Sequence, residues 1–240
     1  MEIPGLKRSD KRGLLSEWAK RMEGEYEGNN MEWERKKRNP FILGLTGGVG
    51  AGKSRILEIL NIDYGFCVIQ TDQVAKRLMQ PGTEICQAVA EYLGASILDS
   101  EGRINRSLMA EILFSDPVKR AGVDAIVHPG VWEVCFKEAE EAGEGRAVIE
   151  TAIPSPVFRS GCQEIWYVYT SRENRISRLK KSRGYGEENS FRMMEQQKSE
   201  EEFRSFSDAV IDNNGTPEDT REQIGRLMEG VKERLHSKFR

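Results

Sequence analysis

One stretch of the 240-residue chain has the residue types and spacing to grip a triphosphate. It is Gly47-Gly48-Val49-Gly50-Ala51-Gly52-Lys53-Ser54, which fits the G-x-x-x-x-G-K-[ST] pattern without a mismatch. To cradle phosphate oxygens, backbone N–H groups must turn inward, and a β-carbon would obstruct that turn. Gly47, Gly48, Gly50 and Gly52 remove it. The N–H groups at a helix start, with the helix dipole, favour a polyanion. Lys53 would set a positive charge on the β- and γ-phosphates, and Ser54 would offer its hydroxyl to Mg²⁺. The residues expected to bind the nucleotide therefore run from Gly47 to Arg55. The pattern predicts a protein that binds a nucleoside triphosphate with Mg²⁺. It does not say what becomes of the phosphate.

Such a loop needs a strand before it and a helix after it. Phe41-Ile42-Leu43-Gly44-Leu45-Thr46 is short and apolar, as a buried strand would be. Ile56, Leu57, Ile59 and Leu60 fall on one face of a helix starting near Lys53. Further strands are expected at Phe66–Gln70, at Val148-Ile149 running into Glu150, at Ile165–Tyr169 and at Ala209–Ile211. Residues 84–143 read mostly helical, with apolar faces at Ile85/Val89/Leu93, Leu108/Met109/Ile112/Leu113/Phe114 and Ile126/Val127/Val131/Trp132/Val134/Cys135. A C-terminal helix starts near Pro217 and carries Ile224, Leu227, Met228, Val231 and Leu235. Five short apolar strands joined by helices imply an α/β fold with a five-stranded parallel sheet covered on both faces. Ligands then sit at the carboxyl ends of the strands.

The polar residues at those ends are the chemical candidates. Asp72 follows the second strand. It could take a proton from a hydroxyl attacking the γ-phosphate, hold Mg²⁺ through water, or cap a helix from Gln73. Glu150 ends an apolar strand. It is either an active-site carboxylate of the Walker B kind or a surface-facing strand-end group. Arg172, Arg175, Arg178, Lys180, Lys181 and Arg183 crowd one helical segment, followed by Gly184-Tyr185-Gly186 and an acidic return helix. A basic helix pair with a glycine hinge predicts a lid that closes over triphosphate and excludes water. His128-Pro129 lies among apolar residues, which suits a hydrogen-bonded core histidine.

Composition narrows the classes. The net charge of −3 argues against a nucleic-acid coat, and no apolar run approaches the roughly 20 residues of a membrane span. The charged start of the chain has no signal-peptide core, which predicts a cytoplasmic protein. Cys67, Cys86, Cys135 and Cys162 lie far apart, so buried free thiols are expected rather than zinc or disulfides. Residues 1–40 differ from the rest. They hold a possible amphipathic helix over Asp10–Glu25 (Leu14, Leu15, Trp18, Met22) and a basic run, Arg35-Lys36-Lys37-Arg38.

Several motifs in order carry a family resemblance. They are the loop from Leu45 to Ser54, Val68–Asp72 followed by Val74-Ala75, Ile104-Asn105-Arg106, Ile112-Leu113-Phe114, Asp116-Pro117 and His128-Pro129. Glu150-Thr151-Ala152-Ile153, Gln197, Ser199–Glu202 and Ser207–Asn213 complete the set. Together, from Phe41 to the C-terminal helix, they resemble dephospho-CoA kinases. That resemblance implies ATP-dependent phosphorylation of the ribose 3′-hydroxyl of dephospho-CoA, with Mg²⁺. It implies a P-loop core (41–75, 146–171 and 206–240), a helical CoA-binding insertion (76–145) and a lid (172–205), after a charged extension (1–40). Asp72 would be the general base, Lys53 and Arg178 would stabilise the transferring phosphoryl group, and Ser54 would hold the metal. Asn213 would lie near the adenine; Asp72, Arg106, His128 and Glu150 would lie on the dephospho-CoA side. A monomer or weak homo-oligomer, acting without nucleic acid or membrane, is expected.

Three departures stand out. Gln70 takes the place of the first carboxylate of the family's Asp-x-Asp, and Pro154-Ser155-Pro156 replaces a Leu-Phe-Glu run. Ser182-Arg183 offsets a lid arginine by one residue, which leaves the phosphate cation open among Arg178, Lys181 and Arg183. They keep alternatives in play: another P-loop small-molecule or nucleoside monophosphate kinase, or a catalytically degenerate ATP-binding relative. A regulatory GTPase is disfavoured, because no Asn-Lys-x-Asp base-reading motif occurs.

Overall fold

The computed structural model describes residues 40–142 and 145–237, with side chains described as far as Lys232. The expected helix over Asp10–Glu25, the basic run at Arg35–Arg38 and the Leu235 side chain lie outside the described residues. The chain forms two compact units. One comprises Asn39–Arg77 and Val131–Arg240; the other includes Leu78–Gly130.

The first unit is built on a five-stranded sheet in the order β2-β3-β1-β4-β5. Strand β1 (Phe41–Thr46) is buried at every position, as a continuous apolar run must be when both sheet faces are covered. It pairs in parallel with β3 (Arg146–Thr151) and with β4 (Glu164–Tyr169). The edges are β2 (Cys67–Gln70) and β5 (Ala209–Asp212), also parallel to their neighbours. All five carboxyl ends therefore share one edge of the sheet. The chain passes from β1 outward to β2 on one side and later to β4 and β5 on the other. That divergence opens a crevice at the end of β1.

Side-chain alternation divides the core. Leu43 and Leu45 pack with Ile56, Leu57, Ile59 and Leu60 of α1 (Lys53–Tyr64), and with Ile224, Met228 and Val231 of the C-terminal helix (Pro217–Ser237). Helix α1 stops at Gly65, whose φ of 66° suits a residue without a β-carbon. Gly44 faces the opposite way, where the Phe158 ring packs on Trp132 with centroids 5.7 Å apart. The second strand departs from expectation. It starts at Cys67, not Phe66, and Cys67 is exposed while Val68 is half-buried, because β2 is an edge strand. Cys86, Cys135 and Cys162 are buried free thiols as expected, and burial pushes Cys135 and Cys162 up to about 12.

In the second unit, Thr83 caps a helix over Glu84–Leu93 by accepting from the Cys86 N–H at 3.1 Å. Asn105 caps the next, Arg106–Ser115, by accepting from the Leu108 N–H. The unit buries Cys86, Val89, Ala90, Ile97, Val123, Ile126 and Val127. The Arg106–Ser115 helix buries no side chain, and Phe114 is 63% exposed, so its expected apolar face is only half covered. The following helix runs unbroken over Pro117–Glu140 through Pro129, which leaves the turn before it without one hydrogen bond. His128, expected in a core, is instead half exposed and 3.6 Å from Asp124 on its own helix.

A β-carbon built on Gly44 would lie 2.6 Å from Phe158 Cζ and 2.9 Å from Ile165 Cγ1. Gly44→Ala should therefore overpack the sheet centre and cost about 1–3 kcal/mol. Thermal unfolding would read this as a Tm lower by very roughly 2–12 °C; an unchanged Tm would mean that Phe158 can move aside.

Candidate active site

The phosphate loop lies between the end of β1 and α1. Gly50 and Gly52 adopt φ of 76° and 91°, a region open chiefly to glycine. A β-carbon on Gly52 would also meet Asn213 Nδ2 at 2.3 Å. Gly52 opens α1 with no side-chain cap; the Arg55 N–H donates back to Gly52 O at 3.0 Å, and the N–H groups of Lys53 and Ser54 remain available to an anion. Ser54 is exposed in that turn, and Arg55 beside it pairs with Glu58.

A loop that turns its N–H groups inward turns its carbonyls outward, and these need donors. Lys53 Nζ donates to Gly47 O at 2.7 Å. Arg175 Nε donates to Val49 O at 2.7 Å. The carbonyl of Ala51 receives three donors: Asn213 Nδ2 at 2.8 Å, Thr170 Oγ1 at 2.9 Å and Arg178 Nη1 at 3.2 Å. Arg178 also reaches Asn213 O at 2.6 Å through Nη2, and Asn213 Oδ1 accepts from Thr220 Oγ1 at 3.0 Å. Thr170 and Asn213 follow β4 and β5 directly, so two strand ends and the helix over Arg172–Arg183 brace the loop.

Glu150, in β3 beside Leu45 of β1, is buried with its Oε1 3.4 Å from Lys53 Nζ. Burial closes the surface-facing alternative. Gln70, paired with Glu150 in register, donates its Nε2 to Glu150 Oε2 at 3.3 Å. Burial pulls the Lys53 ammonium below its ordinary range; Glu150 and then Asp72 oppose that shift by favouring the charged form. Asp72 thus lies within electrostatic reach of Lys53. It sits inside the first turn of a helix over Thr71–Leu78, which begins before Asp72 and so leaves it no capping position. Asp72 is exposed on the edge of the sheet that also carries the loop.

The site residues read from sequence fall into two sets. Gly47 to Arg55, Asp72, Glu150, Arg178 and Asn213 belong to the sheet unit. Arg106 and His128 belong to the helical unit, both exposed. Lys181 and Arg183 are exposed in the last turn of the helix over Arg172–Arg183, whereas Arg178 is engaged with loop and strand-end carbonyls. Asn213, expected near adenine, uses its side-chain amide to hold Ala51 and Thr220. Thr170 was missed, and Arg175 and Gln197 were not singled out as site residues. Gln197 Oε1 accepts from Val49 N and from Arg175 Nη2, both at 2.9 Å. The advance signals were that Arg175 and Arg178, three apart, share a helix face, and that Gln197 is one of the residues carrying the family resemblance.

Among the described residues no group of three His, Cys, Asp or Glu side chains could hold a metal ion. Mg²⁺ suits the site all the same. It commonly takes one or two protein oxygens with phosphate oxygens and water, and the exposed Ser54 hydroxyl can supply one. Among the described residues no helix is long and apolar enough to cross a membrane.

A parallel sheet with a glycine loop at its switch point and a buried lysine beneath it defines a P-loop nucleotide-binding protein. The family model described as dephospho-CoA kinase matches residues 41–219, and the chain belongs to that family. A dephospho-CoA kinase of Thermobifida fusca is 33% identical over 82% of this chain and 98% of its own length. One from Carboxydothermus hydrogenoformans is also 33% identical, over 78% of this chain and 93% of its own. Among solved structures, TT1252 of Thermus thermophilus is similar with a TM-score of 0.68 at 25% identity, covering 81% of this chain and 99% of its own.

Since Glu150 favours the charged form of Lys53, Glu150→Gln should lower the pH at which Lys53 loses its proton. The alkaline limb of a pH profile of ATP affinity should then move to lower pH. A limb that stays in place would show that Glu150 does not set the charge of Lys53.

Proposed function

We propose that the protein transfers the γ-phosphoryl group of ATP to the ribose 3′-hydroxyl of dephospho-CoA, giving coenzyme A and ADP. Membership of the family supports the reaction. The observation that carries the residue assignment is Asp72, on the same sheet edge as the loop and close enough to Lys53 to influence its charge.

The acceptor oxygen attacks the γ-phosphorus in line, and the bond from that phosphorus to the β–γ bridging oxygen breaks. ADP departs with the electron pair, and the hydroxyl proton passes to the Asp72 carboxylate. Lys53 meets the β- and γ-phosphates by exchanging Gly47 O for phosphate oxygens. Ser54 would hold Mg²⁺, and the ion would supply positive charge against the phosphates. Glu150 keeps Lys53 charged while it is buried. Arg178 acts through the loop, holding Ala51 and Asn213, in this reading as a positioning residue with its Nη atoms on those carbonyls.

The division into a P-loop core (41–75, 146–171, 206–240), a CoA-binding insertion (76–145) carrying Arg106 and His128, and a lid (172–205) belongs to the same proposal. So does an adenine subsite beside Asn213. So too does action in the cytoplasm as a monomer or weak homo-oligomer, without nucleic acid or membrane.

Coupled ADP release, measured with and without dephospho-CoA and with AMP, adenosine and shikimate as other acceptors, tests the substrate. Release with dephospho-CoA alone, with a 3′-phosphorylated product, is expected. Asp72→Asn should reduce turnover by at least about a hundredfold, as loss of a positioned base does, while ATP still binds. Near-normal turnover of that variant would remove Asp72 from the mechanism.

A further inference from the structure

One oxygen in the site is gripped by two donors from separate elements. Gln197 Oε1 accepts from the Val49 N–H of the loop and from Nη2 of Arg175 in the lid helix, each at 2.9 Å. The guanidinium is fixed in place, since its Nε holds Val49 O at 2.7 Å. It lies flat on the loop: a β-carbon on Gly48 would be 2.3 Å from Nη2 and 2.6 Å from Cζ. Gly48 therefore serves close approach, and its backbone needs no positive φ.

A loop amide and a charged guanidinium converging on one oxygen make an anion seat. Donors preorganised in this way stabilise charge on a transferring group. A neutral amide oxygen is the weaker guest, because hydrogen bonds from a guanidinium to an ionised oxygen are roughly twice as strong. The other lid cations are differently placed. Arg178 spends its Nη atoms on Ala51, Thr170 and Asn213, and Lys181 and Arg183 face solvent. Arg175 also lies near enough to Lys53 to disfavour its charge. The two cations thus converge on one place, where an anion is the natural partner of both.

We propose that Val49 N–H and Arg175 Nη2 form the seat for an oxygen of the transferring phosphoryl group, and that Gln197 Oε1 holds this seat until that oxygen displaces it. The proposal rests on the reading of ATP as phosphoryl donor. Arg175, rather than Arg178, Lys181 or Arg183, is then the lid residue that touches the reacting group. Gln197 lies between the helices over Glu187–Glu195 and Glu200–Phe206. Displacing it releases their connection from the loop, so nucleotide binding and lid movement are coupled through one hydrogen-bond acceptor.

Four variants of the full chain test this: Arg175→Ala, Arg175→Lys, Gln197→Ala and Gln197→Glu, each checked for folding by thermal unfolding. Arg175→Ala should lower kcat by about 10²–10³, the usual loss for one such donor. Arg175→Lys should recover part of it. Gln197→Ala removes the competing oxygen and should tighten ATP binding. Gln197→Glu puts a carboxylate on the same donors and should weaken it. Equal kcat losses in Arg175→Ala and Gln197→Ala would overturn the proposal, leaving a strut between lid and loop. Unchanged kcat in Arg175→Ala would overturn it too. So would ATP affinities that do not separate the two Gln197 variants in the stated order.

A second readout needs no acceptor. ADP with aluminium fluoride imitates the transferring group and should bind wild type more tightly than ADP alone. Arg175→Ala should lose that advantage while keeping its affinity for ADP; an advantage retained would overturn the seat. Wild type that binds the fluoride complex but gives no product with dephospho-CoA would count against the acceptor and leave the seat standing.

Discussion

Much of this structure follows from one backbone constraint. A phosphate loop must aim its N–H groups at the ligand, so its carbonyls point into the protein and require donors there. Gly47 O takes Lys53, Val49 O takes Arg175, and Ala51 O takes Thr170, Asn213 and Arg178. The donors come from the start of α1, the ends of β4 and β5, and the helix over Arg172–Arg183. The ends of β4 and β5, the start of the C-terminal helix through Thr220, and the helix over Arg172–Arg183 are all tied to a loop that itself has little side chain. The loop's shape is set from behind, by what its carbonyls can find.

The charge arrangement obeys a second constraint. A buried ammonium is costly unless something nearby favours it, and Glu150 supplies that in the neighbouring strand. A further carboxylate at position 70 would repel Glu150, because the two are paired in register. Gln70 instead presents an N–H to the outer oxygen of Glu150. The departure from the family pattern is thus a neutral hydrogen bond where a like-charge contact would stand. The Pro154-Ser155-Pro156 departure is similarly accommodated. Ser155 caps a short helix over Pro156–Gly161 by accepting from the Phe158 N–H, and Pro156 occupies its first turn, where no N–H is needed. That helix delivers Phe158 to the one place on β1 where only a glycine leaves room.

The helix over Arg172–Arg183 shows why cations of one type on one helix are not equivalent. Arg175 and Arg178 point to the loop and are half-buried; Lys180, Lys181 and Arg183 face water. Leu179, buried between the two sets, fixes the rotation of the helix. Position on the face, and not basic character, decides which side chain meets the loop.

Local sequence was sufficient for the elements and for the loop. A glycine run ending in Lys-Ser, between an apolar strand and an amphipathic helix, has few other uses, and the five strands and their parallel arrangement followed from apolar runs separated by helices. Asp72 and Glu150 were legible because strand ends in such sheets gather at one edge. The sequence could not show that Glu150 is buried against Lys53, that β2 is an edge strand exposing Cys67, or that His128 lies on an open helix face. Nor could it show that Arg178 is bound to loop carbonyls while Arg175 and Gln197 meet at Val49. Those facts depend on contacts between segments up to 162 residues apart, such as Asn213 with Ala51. Periodicity and motif spacing are properties of neighbours along the chain. The rotation of a helix about its axis, and the donor that a given carbonyl finds, are settled only when distant segments pack.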